Sequence, residues 1–207
     1  ENEVDEIVRI LLKCGVVVDK ESGERYFGTA VKNRWLKVVK TLDEICGVNI
    51  DGKVTELQSG VRLRETFLHK AMVLYGIGPA WDIVGYLLER GADVNKTSEI
   101  NHRDRDKMDV SPLRIALYKD APTEIIEKMI QNGADIYEKW EESVRYGRGV
   151  LDYALRTGME DAVAAILGTT EDVDIVKLLK NNGLVSKEDK SRFNKLRGML
   201  EKLDREN

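Results

Sequence analysis

Apolar side chains recur along the chain at helical spacing, in short segments that end at glycines. Ile83, Val84, Leu87 and Leu88 lie one, three or four positions apart and predict one buried face of a short helix. Gly91 follows this segment, and glycine can adopt the positive φ that ends a helix. Comparable segments end at four further glycines, which are Gly15, Gly47, Gly133 and Gly168. The pattern predicts a series of short amphipathic helices with an internal repeat.

Residues 66–95 carry three sequence blocks in a fixed order. TFLHKA stands at 66–71, IVGYLL at 83–88 and GADVN at 91–95. This order resembles the ankyrin repeat, a helix-turn-helix unit with a period of about 33 residues. The resemblance implies that Thr66 caps the first helix through its hydroxyl and that His69 connects neighbouring loops by hydrogen bonds.

The resemblance covers residues 4 to 170 and divides the chain into repeats. They are one partial repeat, four repeats and a set of C-terminal capping helices, at residues 4–19, 22–51, 61–95, 108–137, 144–168 and 172–204. The implied fold is all-α, an ankyrin-repeat solenoid of stacked helix-turn-helix units with hairpin loops and a helical C-terminal cap. It forms a single domain over residues 1–207. The apolar stripe of the last predicted helix favours a cap over a short coiled-coil seam.

Long connections flank the central repeats. The closing glycines are 32, 44, 42 and 35 residues apart in chain order. Since the family period is about 33 residues, the larger spacings predict inserted loops. We assign these insertions to residues 52–62, as a loop, and to residues 96–107, as an extension of the hairpin that joins adjacent repeats. A third variable connection, with an exposed Trp140, is predicted over residues 138–148.

Composition narrows the function classes. Hydrophobic residues make up 42% of the 207 residues and charged residues 34%, which is typical of a packed protein and not of a disordered one. The net charge of -4 gives no basis for bulk binding of nucleic acid, and we expect no insertion into a membrane. Cys14 and Cys46 are expected to be free thiols. We therefore expect an intracellular monomer, in the cytoplasm or alternatively the nucleus.

Four short motifs imitate active sites, and each lacks what its chemistry needs. The HRD triplet at 102–104 has no glycine-rich loop and no DFG motif to complete a kinase site. The aspartates of 104–109 lack the glycine and the closing glutamate of a calcium loop. GIG at 76–78 lacks a third glycine and a preceding strand, and the two histidines lack a nearby cysteine pair. We expect no enzyme activity, no cofactor and no metal.

The resemblance implies a partner-binding surface instead. In ankyrin proteins the concave groove, formed by the first helix of each unit and the hairpin tips, usually binds the partner. Aligning the units on their Leu-x-x-Ala core predicts the helix positions Lys32, Asn33, Val73, Leu74, Tyr118, Lys119 and Arg156. The predicted tip positions are Leu63, Lys107, Met108, Val110, Arg145, Tyr146 and Arg148. Val73 and Leu74 can alternatively belong to the core.

The function predicted from these positions is protein–protein binding, as an adaptor, inhibitor or effector module. Aromatic and arginine side chains are the usual interface anchors, and the C-terminal half of the groove is basic. This charge favours another protein with an acidic surface or peptide. The alternative is a regulatory domain of a larger enzyme or channel that senses a nucleotide or another anionic ligand. Its candidate residues are Arg103, Arg105, Arg145, Arg148 and Arg156.

Overall fold

The computed structural model describes residues 2–58, 61–74, 78–102, 105–143 and 147–168, together with residues 181 and 198. Only the backbone is described at residues 54–58, 61–63, 99–102, 105–109, 141–143 and 147–148. The protein is mostly helical, which confirms that part of the fold prediction. The predicted capping helices at 172–204 lie outside the described residues, apart from residues 181 and 198, which are helical.

Pairs of short helices alternate with β-hairpins along the described chain. The helices are α1 (Asn2–Lys13), α2 (Lys20–Lys32), α3 (Leu36–Cys46), α4 (Phe67–Met72), α5 (Trp81–Glu89), α6 (Pro112–Tyr118), α7 (Thr123–Gln131), α8 (Val150–Thr157) and α9 (Glu160–Gly168). The strands are β1 (Lys53–Gln58), β2 (Val61–Thr66), β3 (Ser98–His102), β4 (Arg105–Val110), β5 (Lys139–Ser143) and β6 (Gly147–Gly149). We call α2, α4, α6 and α8 the first helices, and α3, α5, α7 and α9 the second helices.

The helix ends follow from local sequence. The side chain of Asp19 caps α2 by accepting a hydrogen bond from the Ser22 amide at 2.9 Å. Gly91 and Gly133 have φ of 79° and 84°, as predicted for residues that close a second helix. Gly168 is different, because it is the last residue of α9 and has no positive φ.

The chain divides into two compact units, Glu1–Ile115 and Ala116–Asn207, and the division falls within α6. In the first unit α2 packs on α3, α4 packs on α5, and α2 also contacts α4. The second helices α3 and α5 contact each other, and α1 packs on α3. In the second unit α9 packs against both α7 and α8. Apart from α1, which has no buried residue, each helix buries part of its surface in the core.

The Leu-x-x-Ala positions form the core of the first helices. Ala30, Ala71, Ala116 and Ala154 are all buried, and the residue three positions before each of them is buried as well. In the first unit, Phe27 is the residue three positions before Ala30, and its ring packs near that of Phe67 on α4, with centroids 4.7 Å apart in an edge-on arrangement. A small side chain at the alanine position lets the helices approach closely.

Both predicted insertions form β-hairpins, although the first was predicted to be a loop. β1 to β4 form one antiparallel four-stranded sheet, with a register from Lys53 opposite Thr66 to Gln58 opposite Val61 in the first hairpin. The loop prediction for 52–62 is therefore wrong, whereas the hairpin predicted over 96–107 is present as β3 and β4. β5 and β6 form a separate antiparallel pair within the third connection. Apolar and charged residues alternate through Val61-Arg62-Leu63-Arg64, and this alternation is the sequence signal for a strand.

A buried carboxylate ties two second helices together in the first unit. Asp43 of α3 accepts a hydrogen bond from the Tyr86 hydroxyl at 2.5 Å and from Arg90 Nε at 2.6 Å. Burial, followed by the hydrogen bond to Asp43, raises the pKa of Tyr86 above its usual range. The phenol therefore stays protonated and remains a donor to Asp43. The pairing satisfies a charge that would otherwise be costly to bury.

Candidate partner-binding surface

A buried histidine connects the start of α4 to the end of the hairpin that follows α5. Thr66 caps α4, and its hydroxyl lies 2.7 Å from His69 Nδ1. His69 Nε2 lies 3.0 Å from the Val110 carbonyl oxygen, which can only accept, so Nε2 carries the proton. Nδ1 is then free to accept from the Thr66 hydroxyl. The predicted cap at Thr66 is confirmed, and His69 makes the bond between loops that the resemblance implied.

The environment of His69 keeps its ring neutral. The side chain is fully buried, and this burial is the main reason that its pKa falls from 6.5 to about 4. The charge of Lys53 also lowers the pKa, while the bond to Val110 raises it. A neutral imidazole that makes hydrogen bonds to Thr66 and to the Val110 carbonyl holds these two backbone segments together. His69 is a structural residue of this surface.

In the first unit, the predicted helix positions lie at the C-terminal ends of α2 and α4. Lys32 and Asn33 are exposed, and Asn33 Nδ2 donates to the Thr29 carbonyl at 2.8 Å. Val73 is half-buried and ends α4. Leu74 is buried, so it belongs to the core, which was the alternative considered for it.

Four predicted hairpin-tip positions belong to the first unit, and the structure describes the side chain of only one of them, Val110. Val110 is only 8% exposed, so the expectation of an exposed tip residue is wrong there. Its place at the end of β4, beside the buried His69, explains this burial. The backbone of Leu63 lies on β2, and that of Lys107 and Met108 lies on β4. The side chains of these three residues lie outside the described set.

Three aromatic side chains of the second unit form one cluster, which we call the aromatic surface: Tyr118, Trp140 and Tyr153. The ring of Tyr118 lies 4.8 Å from that of Tyr153 and 5.6 Å from that of Trp140, measured between centroids. Trp140 and Tyr153 are 5.8 Å apart. The tilted and edge-on arrangements are those that aromatic rings prefer. Both tyrosines remain partly exposed.

The burial of Trp140 corrects one prediction and adds a residue to the surface. Trp140 is 5% exposed, because it packs against the two tyrosine rings, so the prediction of an exposed Trp140 is wrong. Tyr153 was absent from the predicted positions. Relative to the core alanine of its helix, Tyr153 stands one position before and Tyr118 two positions after. In an aligned helix these two positions are three residues apart, so they lie on the same face. Helical spacing within the aligned core could have identified Tyr153.

Cationic side chains flank the aromatic residues in sequence. Lys119 follows Tyr118 and is exposed. Arg156 lies on α8, and its Nη1 is 3.9 Å from Oδ2 of Asp152, a carboxylate that is 1% exposed. Arg156 therefore compensates a buried charge in addition to facing solvent. Arg148 has its backbone on β6, while Arg145 and Tyr146 lie outside the described residues.

The remaining sequence predictions concern metal-binding clusters, membrane-spanning helices and the two cysteines. No cluster of three His, Cys, Asp or Glu side chains that could hold a metal ion occurs among the residues that the structure describes. Within the same residues, no helix has the length and apolar character needed to cross a membrane. Cys14 is exposed, and partial burial raises the pKa of the Cys46 thiol, which makes it a poorer nucleophile.

Comparison with known proteins adds no family. No protein-family model matches the chain, and no curated protein matches it. The resemblance to ankyrin repeats therefore rests on the residue pattern of the chain itself.

Proposed function

We propose that this chain is an ankyrin-repeat protein, a solenoid of helix-turn-helix units that binds another protein. Four features support the assignment: the alternation of helix pairs with hairpins, the cap at Thr66, the His69 bridge and the left-handed glycines that close the second helices. The proposed role is that of an adaptor, inhibitor or effector.

The observation that carries the proposed binding site is the aromatic surface. Tyrosine offers a rigid ring with a polar end, and two such rings stand partly exposed over a buried tryptophan. Buried support of this kind holds the rings in place before a partner arrives, which lowers the entropy lost on binding. Truncation of an anchor in such a surface typically costs about 2 kcal/mol, or roughly thirtyfold in affinity.

Charge favours an acidic partner. Lys119 is exposed next to Tyr118, three residues after the core alanine of α6. Rim cations of this kind mainly raise the rate of association with an acidic surface or peptide. Two free cysteines agree with a reducing, intracellular compartment, and the cytoplasm is the proposed location.

The test is capture of the partner with surface variants. The 207-residue chain is used as bait in cells that express it, and bound proteins are quantified by mass spectrometry. Lys119→Glu reverses a charge at an exposed position, and Tyr118→Leu keeps an apolar contact with Trp140 but removes the ring. We expect each variant to lose most of the partner that the parent captures.

The control is Lys20→Glu, the same substitution at another exposed lysine, in the first turn of α2. It should capture the partner like the parent, and all variants should melt within a few degrees of the parent. If Lys119→Glu and Tyr118→Leu capture as much as the control, binding does not use the aromatic surface. A parent that captures no protein above background contradicts the binding role.

A further inference from the structure

The two tyrosines of the aromatic surface form one contact area, which we call the tyrosine pair: Tyr118 and Tyr153. Their ring centroids are 4.8 Å apart. A group stacked between two rings needs about 3.5–4 Å to each of them, so nothing fits between these two rings. Trp140 is 5% exposed and lies against both rings, so it supports the pair and adds little surface of its own. A ligand group therefore lies across both tyrosine rings and not between them.

A partly exposed arginine lies one helical turn from the tyrosine pair. Arg156 follows Tyr153 by three residues on α8, and side chains at this spacing have Cβ atoms about 5–6 Å apart. The Arg156 side chain is 29% exposed, and its Nη1 lies 3.9 Å from Oδ2 of the buried Asp152. Because Asp152 directly precedes Tyr153, this contact directs the guanidinium group back along α8 toward the tyrosine. A partner thus meets two aromatic rings and a cation at a separation of about 6 Å.

The residues that flank the aromatic surface in sequence are polar. Lys119 follows Tyr118, Lys139 precedes Trp140, and Thr157 follows Arg156, and all three of these flanking residues are exposed. An amphipathic helix that docks on a protein needs a row of apolar contacts at positions i, i+3, i+4 and i+7. Among the described residues of this surface, the tyrosine pair gives one apolar contact and not a row. This favours an extended ligand with a single apolar group at the tyrosines.

Proline meets the requirements of such a ligand. Proline-rich segments form the extended polyproline II helix, which binds to aromatic side chains. Their conformation is restricted before binding, so they lose little entropy when they bind to a surface as small as two side chains. The polyproline II helix rises about 3.1 Å per residue, so residues two positions apart are about 6 Å apart. This distance matches the separation between the tyrosine pair and Arg156.

We propose that the aromatic surface binds a proline-rich segment of another protein in which an acidic residue stands two positions from a proline. This rests on the partner-binding role proposed above for the same surface. The proline ring lies across the tyrosine pair, and the acidic side chain binds Arg156, whose planar guanidinium group matches a carboxylate. Exposed Lys119 and Lys139 favour further acidic residues in the flanks of the segment.

The test is calorimetric titration of the 207-residue chain with synthetic peptides whose termini are acetylated and amidated. The probes are PPPPAEAA and its reversal AAEAPPPP, and at least one of them should bind with a dissociation constant below about 1 mM. In PPPPAAAE the composition is the same, but the glutamate is four positions from the nearest proline. This peptide, and LLLLAEAA without proline, should bind about tenfold more weakly than PPPPAEAA, and their reversals more weakly than AAEAPPPP.

Paired substitutions locate the carboxylate contact. Replacing the peptide glutamate by glutamine should weaken binding to the parent protein about tenfold, and this comparison leaves the protein unchanged. Arg156→Gln should weaken binding of the glutamate peptide by a similar factor, yet it should not weaken binding of the glutamine peptide further, because the two groups act together. Lys20→Glu, at an exposed position of the first unit, is the control and should bind like the parent.

The proposal is overturned if neither probe binds to the folded parent protein. It is also overturned if the shifted, leucine or glutamine peptides bind as tightly as the probes. In these cases, capture of a cellular partner that still depends on Tyr118 and Lys119 leaves the binding role of the aromatic surface intact. The failure of this inference is therefore distinct from a failure of the proposed function.

Discussion

Acidification should destabilise the protein through His69. In the folded protein the pKa of this buried imidazole lies at about 4, against 6.5 for its ordinary value. Between pH 6.5 and about 4, His69 is protonated in the unfolded chain but not in the folded protein. The free energy of unfolding therefore falls as the pH falls. His69 contributes its full stabilisation above pH 6.5, and this contribution is lost as the pH approaches 4.

The magnitude follows from the gap between the two pKa values. One pKa unit corresponds to about 1.4 kcal/mol, so the loss amounts to about 3 kcal/mol. This is a large share of the stability of a typical domain. Protonation places a charge on a fully buried ring and makes Nδ1 a donor, which removes the acceptor for the Thr66 hydroxyl. Lys53 adds repulsion to the new charge.

The assay is urea unfolding followed by circular dichroism at several values between about pH 7.5 and 4.5, around the ordinary pKa of histidine. The parent should lose stability steadily below pH 6.5. His69→Gln should be less stable at neutral pH, because it loses the two ring hydrogen bonds, but nearly flat across the same range. The lowered pKa values of Asp5 and Asp19 act below their ordinary value of 3.8, outside this range.

The control is His102→Gln, which removes the second histidine of the sequence. It should keep the pH dependence of the parent. The reasoning is refuted if the parent is equally stable at pH 6.5 and about 4.5, or if His69→Gln retains the slope of the parent. A slope that disappears in His102→Gln assigns the effect to the wrong histidine.

Two further substitutions test the buried carboxylates. Tyr86→Phe removes one donor to Asp43, so we expect a loss of about 1–2 kcal/mol in urea unfolding, with the exposed Tyr26→Phe as a control near zero. Equal effects of the two would contradict the role of Asp43. Arg156→Glu sets two carboxylates side by side at Asp152 and should lower stability by about 2 kcal/mol, whereas Arg156→Lys should cost less. If Arg156→Glu is as stable as the parent, Arg156 does not stabilise the buried Asp152 carboxylate.

The sequence predicts the core register well because the constraint is local. Each first helix needs a small residue where helices meet closely, and the four aligned alanines are all buried. The positions two residues further on are all at least partly exposed: Lys32, Val73, Tyr118 and Arg156. One alignment of short motifs thus separates core from surface along four helices. Leu74 and Val110 lie outside the aligned motif positions, and both are buried.

The four-stranded sheet and the buried charge escaped prediction for different reasons. β2 shows the alternation of a strand, but β4 begins Arg105-Asp106-Lys107 and carries almost no apolar alternation. Its pairing with β3 comes from the neighbouring strands, so propensity alone does not reveal it. Asp43 needs partners 43 and 47 residues away. A single polar residue in a helix carries no sign of such a distant pair.

The same repeat register nevertheless makes the distant pair intelligible. Asp43 lies four residues before the closing glycine Gly47, and Arg90 lies one residue before the next closing glycine, Gly91. The second helices α3 and α5 contact each other, and the bond from Arg90 to Asp43 joins the end of one to the end of the other. The ion pair therefore uses the contact between these two helices, while the aromatic surface uses positions beside the core alanines. The alanine position is buried in all four first helices, whereas the position two residues after it carries lysine, valine, tyrosine or arginine and stays at least partly exposed.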